Sequence, residues 1–194
     1  MSIFKDKAIV LKIEKTLKIN DDSFTKKNDK EFLYTLFTKT YGKIKASKKY
    51  SKTEKSLDIG YNINFEIITS EKSKIHKIKN IKIKNEFNIN KDKNFYEINK
   101  YLEIIALIYR EIPEGVAFEE IYEIIEIINE KENIDEIKLI LTKIKIKSLI
   151  GILNINHNDE IIRKILKFIS NSKIENILKL TGINEEQKKE LEQI

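Results

Sequence analysis

Residues 31–47 read EFLYTLFTKTYGKIKAS, and their spacing decides the first half of the molecule. Phe32, Tyr34, Leu36 and Thr38 recur at period two, the repeat of a strand whose alternate side chains share a face. Thr40-Tyr41-Gly42 follows as a hairpin turn, with Gly42 free to take positive φ. Ile44 and Ala46 then point inward from a returning strand. Upstream, Lys7 to Lys15 alternates with Ile9, Leu11 and Ile13 on one face, and residues 18–30 are polar and turn-like. Downstream, Lys48 to Lys55 reads as a lysine-rich loop. Ile59 to Ile68 is a fourth strand, with Tyr61, Ile63, Phe65 and Ile67 opposing Asn62, Asn64 and Glu66. Ser70 to Lys74 is a turn, and Ile75 to Phe87 is a fifth strand. In its early part Ile75 and Ile78 are out of phase with each other, which implies a bulge or a register shift. Five short strands without a long helix predict a small barrel or curled sheet.

Past the polar stretch Asn88 to Asn94 the period changes. Ile98, Leu102, Ile105, Ile108 and Ile112 recur at spacings of three and four, the mark of a helix. Pro113-Glu114-Gly115 ends it. Phe118, Ile121, Tyr122, Ile125 and Ile128 form a second stripe. Asp135 caps a third helix running to Ile152, and Asn158 or Asp159 caps a fourth with Ile161, Ile162, Ile165, Phe168 and Ile169 inward. A short helix spans Lys173 to Thr181 and stops at Gly182, and a last one spans Asn184 to Gln193. The expected class is α+β, with a strand domain over 1–88 and a helical domain over 95–194.

Composition excludes several chemistries. The chain of 194 residues has no Cys and two His, so a disulfide framework, a cysteine nucleophile and a thiolate or multi-histidine metal centre are ruled out. Five scattered Gly leave no glycine-rich phosphate loop. Isoleucine is used 40 times against 2 Val, and lysine 35 times against 2 Arg, a bias of the coding sequence that says nothing of function. No apolar run approaches the roughly 20 residues of a membrane span, and the longest near the N-terminus is Ala8 to Leu11, so a soluble, cytoplasmic protein is expected.

Charge is unevenly placed. Residues 1–90 carry 21 basic and 11 acidic side chains, net +10, while residues 91–194 carry 16 basic and 20 acidic, net −4. A basic half points to an anionic polymer. Lys39, Lys43, Lys45, Lys48, Lys49, Lys52 and Lys55 meet one acid, Glu54, and Lys72, Lys74, Lys77, Lys79, Lys82 and Lys84 meet none. Each lysine that reaches a phosphate releases counterions and adds sequence-independent affinity. Tyr41 and Tyr50, inside the first cluster, are suited to stacking on unpaired bases. Glu119, Glu123, Glu126 and Glu130 fall on one helix face without a histidine, the pattern of an exposed polar face rather than a metal site. His76 and His157 are read as ordinary polar residues, and no catalytic triad suggests itself, so no enzyme is expected.

Lys7-Ala8-Ile9-Val10-Leu11 as an opening strand, followed by Leu36 to Ile44 as a hairpin with its Thr-Tyr-Gly-Lys turn, resemble the RecO family of recombination mediators. Leu57 to Phe65 around Gly60, Tyr101-Leu102-Glu103 followed by Pro113-Glu114-Gly115, and Leu149-Ile150-Gly151-Ile152 fit in the same order. The family's zinc-binding cysteines are absent, and Lys48-Lys49-Tyr50 replaces its glycine- and arginine-containing loop. The resemblance implies an N-terminal five-stranded OB-fold β-barrel followed by an all-α helical domain. It implies binding of single- and double-stranded DNA and annealing of complementary strands. It also implies action with RecR to load RecA onto DNA coated by single-strand-binding protein, with RecF a further family partner. DNA would lie on Lys39, Tyr41, Lys43, Lys45, Lys48, Lys49, Tyr50, Lys52, Lys55, Lys82 and Lys84. The tail of single-strand-binding protein would meet a basic patch of Lys138, Lys143, Lys145 and Lys147. No cofactor is implied. Another OB-type module for DNA or RNA, and a protein scaffold without DNA contact, remain the alternatives.

Overall fold

The alternation along the first half builds five strands: β1 (Ser2–Lys15), β2 (Lys30–Thr38), β3 (Gly42–Tyr50), β4 (Asn62–Thr69) and β5 (Ile75–Asn85). The computed structural model describes residues 2–15, 30–51, 54–69, 75–87, 94–131 and 134–194. β1 is long enough to serve two neighbours. Its N-terminal part pairs antiparallel with β4, Ser2 opposite Thr69 through Ile9 opposite Asn62, and its C-terminal part pairs with β2, Ala8 opposite Thr38 through Lys15 opposite Phe32. β2 and β3 form the expected hairpin, β4 and β5 pair antiparallel, and β3 meets β5 in parallel at Lys45–Ile75 to Ser47–Lys77. The strands therefore close in the order β1-β2-β3-β5-β4 as a barrel. The phase break anticipated in β5 is present: register shifts between Asn64 and Glu66 opposite it, and Asn80 takes φ 51°. The lysine-rich stretch is strand as far as Tyr50, longer than its charge suggested.

Six helices follow: α1 (Phe95–Glu111), α2 (Glu119–Glu130), α3 (Glu136–Leu149), α4 (Glu160–Asn171), α5 (Ile174–Ile177) and α6 (Glu185–Gln193). Their starts are chemical. Asn94 and Asn184 make capping boxes with Glu97 and Gln187, while Asp135 and Asp159 accept from the first-turn amides of α3 and α4. On α4 only Ile162, Leu166 and Ile169 are buried; Ile161 and Phe168, expected inward, are exposed because the inward stripe is narrower than the run of apolar residues. α3 is buried on most sides by Leu139, Ile140, Leu141, Thr142, Ile144, Lys145 and Ile146, and packs against α1, α2, α4, α5 and α6. No helix among the described residues is long and apolar enough to cross a membrane.

The core has two parts, and the first half of the chain contributes to both. Ala8, Val10, Tyr34, Leu36, Ile44, Ala46, Ile63, Phe65 and Ile67 fill the barrel. Ile9, Leu11, Phe37 and Phe87 instead join Tyr101, Ile105, Ile108, Tyr122 and the other helix residues in a second cluster. β1 is thus buried on both faces, not on one as its loose alternation suggested. Those four side chains, three from the barrel strands and Phe87 just past β5, at about 1.5–3 kcal/mol each, bind the halves far more firmly than surface ion pairs, at about 0–1 kcal/mol each. The two halves share a hydrophobic core, whatever the change of period near residue 88.

Two glycines allow that contact. Gly42 has φ 69°, and a Cβ there would stand 2.1 Å from the Val116 carbonyl oxygen. Only a residue without a side chain lets the β2–β3 turn press on the segment between α1 and α2, where the Gly115 N–H donates to the Lys43 carbonyl at 2.9 Å. Gly60, at φ 85°, lies under Tyr101, whose hydroxyl donates to the Gly60 carbonyl at 2.7 Å; a Cβ would be 2.5 Å from the ring.

Candidate nucleic-acid interface

The side chains of β3 divide by parity. Ile44, Ala46 and Tyr50 enter the barrel, and Lys45 and Lys49 stand outside and exposed. Parallel pairing lays β5 alongside, with exposed Lys77 opposite Ser47, and β4 brings Glu66 opposite Lys79 and Asn64 opposite Lys82. β1 follows with Lys5 opposite Glu66 and Lys7 opposite Asn64. The outer surface of β3, β5, β4 and β1 is therefore predominantly basic.

The expected residues fare unequally within this frame. Lys45, Lys49, Lys55 and Lys82 are exposed. Lys45 contacts Glu114 at 3.2 Å and Lys55 contacts Glu86 at 2.7 Å, both with ammoniums open to solvent. The Glu86 hydrogen bond holds Lys55 above the ordinary lysine range. Tyr41 is 40% exposed at the hairpin tip. Lys52 lies outside the described residues, as do Lys72 and Lys74.

Lys43 and Tyr50 are not placed as the sequence reading expected. Lys43 is buried; its Nζ donates to the Tyr109 carbonyl at 2.7 Å and lies 5.3 Å from the Tyr109 ring centroid. That carbonyl belongs to the last turn of α1, whose outward carbonyls have no helical partner, so Lys43 caps a helix. Tyr50 is 5% exposed and inside the barrel, where it shares a 2.9 Å hydrogen bond with Tyr34 and meets Phe32 edge-on. Burial pushes the Tyr50 hydroxyl above its ordinary range, and its ring offers no face to a base. Lys48 is sheltered, ion-paired with Glu54 at 2.6 Å and held over the Tyr50 ring.

The acidic stripe of α2 is not the free polar face that its spacing suggested. Residues four, three and four apart share a helix side, and that side faces the barrel. Glu119 and Glu123 hold Lys39 at 3.0 and 3.1 Å. Glu126 meets Lys84 at 2.8 Å and Lys7 at 3.4 Å, and Glu130 meets Lys84 at 2.7 Å. These hydrogen bonds raise Lys39 and Lys84 above the ordinary lysine range. For Glu126, burial pushes the carboxyl up, but Lys84 and Lys7 outweigh it and leave the group below the usual carboxylate range. Part of the charge asymmetry between the halves is thus satisfied inside the molecule. Sequence reasoning had no signal for this, because α2 and β5 are paired only by the fold.

The four lysines of α3 do not form one patch. Lys138 pairs with Asp135 at 3.1 Å, and Lys143 with Glu103 at 2.7 Å. Lys145 is 5% exposed and donates to the Ser170 carbonyl at 3.2 Å. Lys147 donates to the Ile194 carbonyl, and burial with neighbouring Lys143 and Arg110 lowers it below the ordinary range. Lys143, Lys145 and Lys147 cross-link α3 to α1, α4 and the end of the chain after α6, where a basic patch was expected. Among the described residues no group of three or more His, Cys, Asp or Glu is arranged to hold a metal.

The sequence matches no protein-family model and no curated protein.

Proposed function

We propose that the chain is an OB-type nucleic-acid-binding protein that acts as a DNA-annealing recombination mediator of the RecO kind. The observation that carries the reading is the barrel itself. Its β1-β2-β3-β5-β4 order, with β1 shared between β2 and β4 and with β3 parallel to β5, supports an OB-type barrel. The fused helical part and the ordered motifs from Lys7 to Ile152 favour the mediator class over other OB-type modules. Mechanistically, Lys45, Lys49, Lys55 and Lys82 neutralise backbone phosphates, so two strands held on one surface repel each other less and pair faster. Lys39, Lys84 and Lys7 contribute when a phosphate competes with the α2 carboxylates. RecR, RecA, RecF and the tail of single-strand-binding protein are the partners this reading carries. Lys138, Lys143, Lys145 and Lys147 are left out of its contact set because none of them is exposed and they do not share one patch.

Anisotropy of labelled single-stranded DNA titrated at several salt concentrations tests it. Four phosphate contacts give a log–log slope of about −3. Changing Lys45, Lys49 and Lys82 to Glu should abolish binding, and annealing of complementary oligonucleotides should fall with it. A slope near zero refutes the proposal and leaves a protein scaffold as the reading.

A further inference from the structure

β1 begins before the first residue that its sequence pattern marked, and its first residues form a sheet edge. They pair with β4 without a break, Ser2 opposite Thr69 through Ile9 opposite Asn62. The other edge is taken only from Lys7 onward. There the Lys39 N–H donates to the Lys7 carbonyl at 3.0 Å, and pairing with β2 starts at Ala8. The Thr40 hydroxyl, bonded to Asp6 Oδ1 at 3.1 Å, holds the hairpin tip beside Asp6. Main-chain groups of successive residues turn to opposite edges of a strand. Lys7 faces β2, and Val10, which exchanges bonds of 3.0 and 2.8 Å with Tyr61 and Gly60, faces the β4 side. Ile3 and Lys5 therefore turn their N–H and C=O groups to the open edge, where no strand among the described residues meets them. The edge is apolar on both faces. Ile3 is 52% exposed on the outer face, and Phe4, opposite Ile67 on the barrel side, is 44% exposed with the Tyr41 ring at 6.4 Å. Sheets guard such edges with a charge, a proline or a bulge, and none of these stands at Ile3 or Phe4.

We infer that this edge pairs with the same edge of a second copy, antiparallel and centred on Ile3, so that one sheet runs through two barrels. A two-fold axis makes such a contact self-complementary, and outward residues must meet outward residues. Centring the pair on Lys5 sets two ammoniums directly opposite each other. Pairing Ile3 with Lys5 carries residue 2 of the copy to Asp6, where the hairpin tip already sits. Centring on Ile3 does neither. Ile3 then exchanges two N–H···O bonds with Ile3 of the copy, and the two side chains meet on the outer face. On the other face Phe4 falls diagonal to Phe4 of the copy, a separation that aromatic rings can bridge. The two Lys5 residues stand about 14 Å apart along the strands, beyond the screening length of about 8 Å at physiological salt, so they do not oppose the contact. The pairing is independent of nucleic-acid binding.

The chain has no cysteine, so single-cysteine variants of the full chain report the register directly. Ile3→Cys places its Cα about 5.5 Å from that of its copy, inside the roughly 4.4–6.8 Å that a disulfide spans. Lys5→Cys, exposed on the same face, is about 14 Å from its copy and out of reach. Under mild oxidation Ile3→Cys should form a disulfide dimer and Lys5→Cys should stay monomeric. Sedimentation equilibrium of the native chain should give a mass that rises with concentration toward twice the monomer. Ile3→Pro removes only an outward N–H, which the open side of an edge strand tolerates. It should hold the mass at the monomer while its thermal unfolding in dilute solution matches the native chain; the cysteine pair decides the matter if this variant does not fold. Equal cross-linking by the two cysteine variants overturns the proposal, as does a dimer that persists in folded Ile3→Pro. A native mass that stays monomeric at every concentration also overturns it and leaves the edge to an extended segment of another protein.

Discussion

Replacing Glu126 and Glu130 with glutamine removes two carboxylates from the seam between α2 and the barrel while keeping side-chain shape. Glu126 is the sheltered partner, 17% exposed and 2.8 Å from Lys84, with Lys7 at 3.4 Å. Glu130 lies 2.7 Å from Lys84 but is 51% exposed, so water screens most of its attraction. Taking the sheltered pair near the top of the surface range and the exposed one near its bottom, the double variant loses about 1 kcal/mol. In a chain of this size that lowers Tm by about 2–4 °C. The difference should shrink at high salt, where the native pairs are screened as well. The same change releases Lys84 and Lys7 toward an external anion, so binding of single-stranded DNA should strengthen and the salt slope should steepen by up to about 1.4. Thermal unfolding followed by circular dichroism at low and high salt measures the first effect, and anisotropy measures the second. Equal Tm at low salt together with an unchanged slope would refute the argument that α2 competes for the barrel's lysines.

Gly60→Ala should cost at least about 2 kcal/mol, since a non-glycine residue at φ 85° is strained and its Cβ meets the Tyr101 ring; urea unfolding reads this as a lower midpoint with an unchanged slope. Lys43→Met should lower stability by about 1–2 kcal/mol by uncapping the Tyr109 carbonyl, with little change in the DNA salt slope, whereas Lys49→Glu should do the reverse. Acid should destabilise the protein through Glu126 and Glu103. For Glu103 burial raises the carboxyl, but Lys143 and Lys100 outweigh it, so it too sits below the usual range. A carboxylate lowered in the folded state contributes stability above its unfolded value, about 4.3, and loses it as pH falls through the folded value. Glu126→Gln should therefore flatten the stability profile below about pH 4.5, and an unchanged acid limb would count against the ion pairs.

The strand half was legible where one face of the chain alternates. The Thr40-Tyr41-Gly42 turn, the phase break in β5 and the cap at Asp135 follow from local chemistry, and of the two α4 caps that the sequence allowed, Asn158 or Asp159, the structure uses Asp159. Ile9 and Leu11 were legible as sharing a face but not as facing the helices, and the burial of Phe37, off the face marked by Phe32, Tyr34 and Leu36, was not legible, because a strand covered on both sides has no polar face to reveal its orientation. The same holds for α3, whose lysines look like a patch in the sequence. Lys145 is buried with its charge directed to Ser170, and long aliphatic stems allow that at positions where composition suggests surface.

For the candidate site the division is sharper. The sequence by itself determined the excess of lysine in residues 1–90, the acidic repeat from Glu119 to Glu130 and the absence of any thiol, since these are counts and spacings. The tertiary structure alone decided which charges are open. Coulomb attraction acts over a few ångströms, and Lys84 and Glu126, 42 positions apart, come within 2.8 Å only once β5 and α2 are packed on either side of the shared core. The same closure leaves Lys5 and Lys82 exposed in a groove and buries Lys43 and Tyr50, residues that composition could not tell apart.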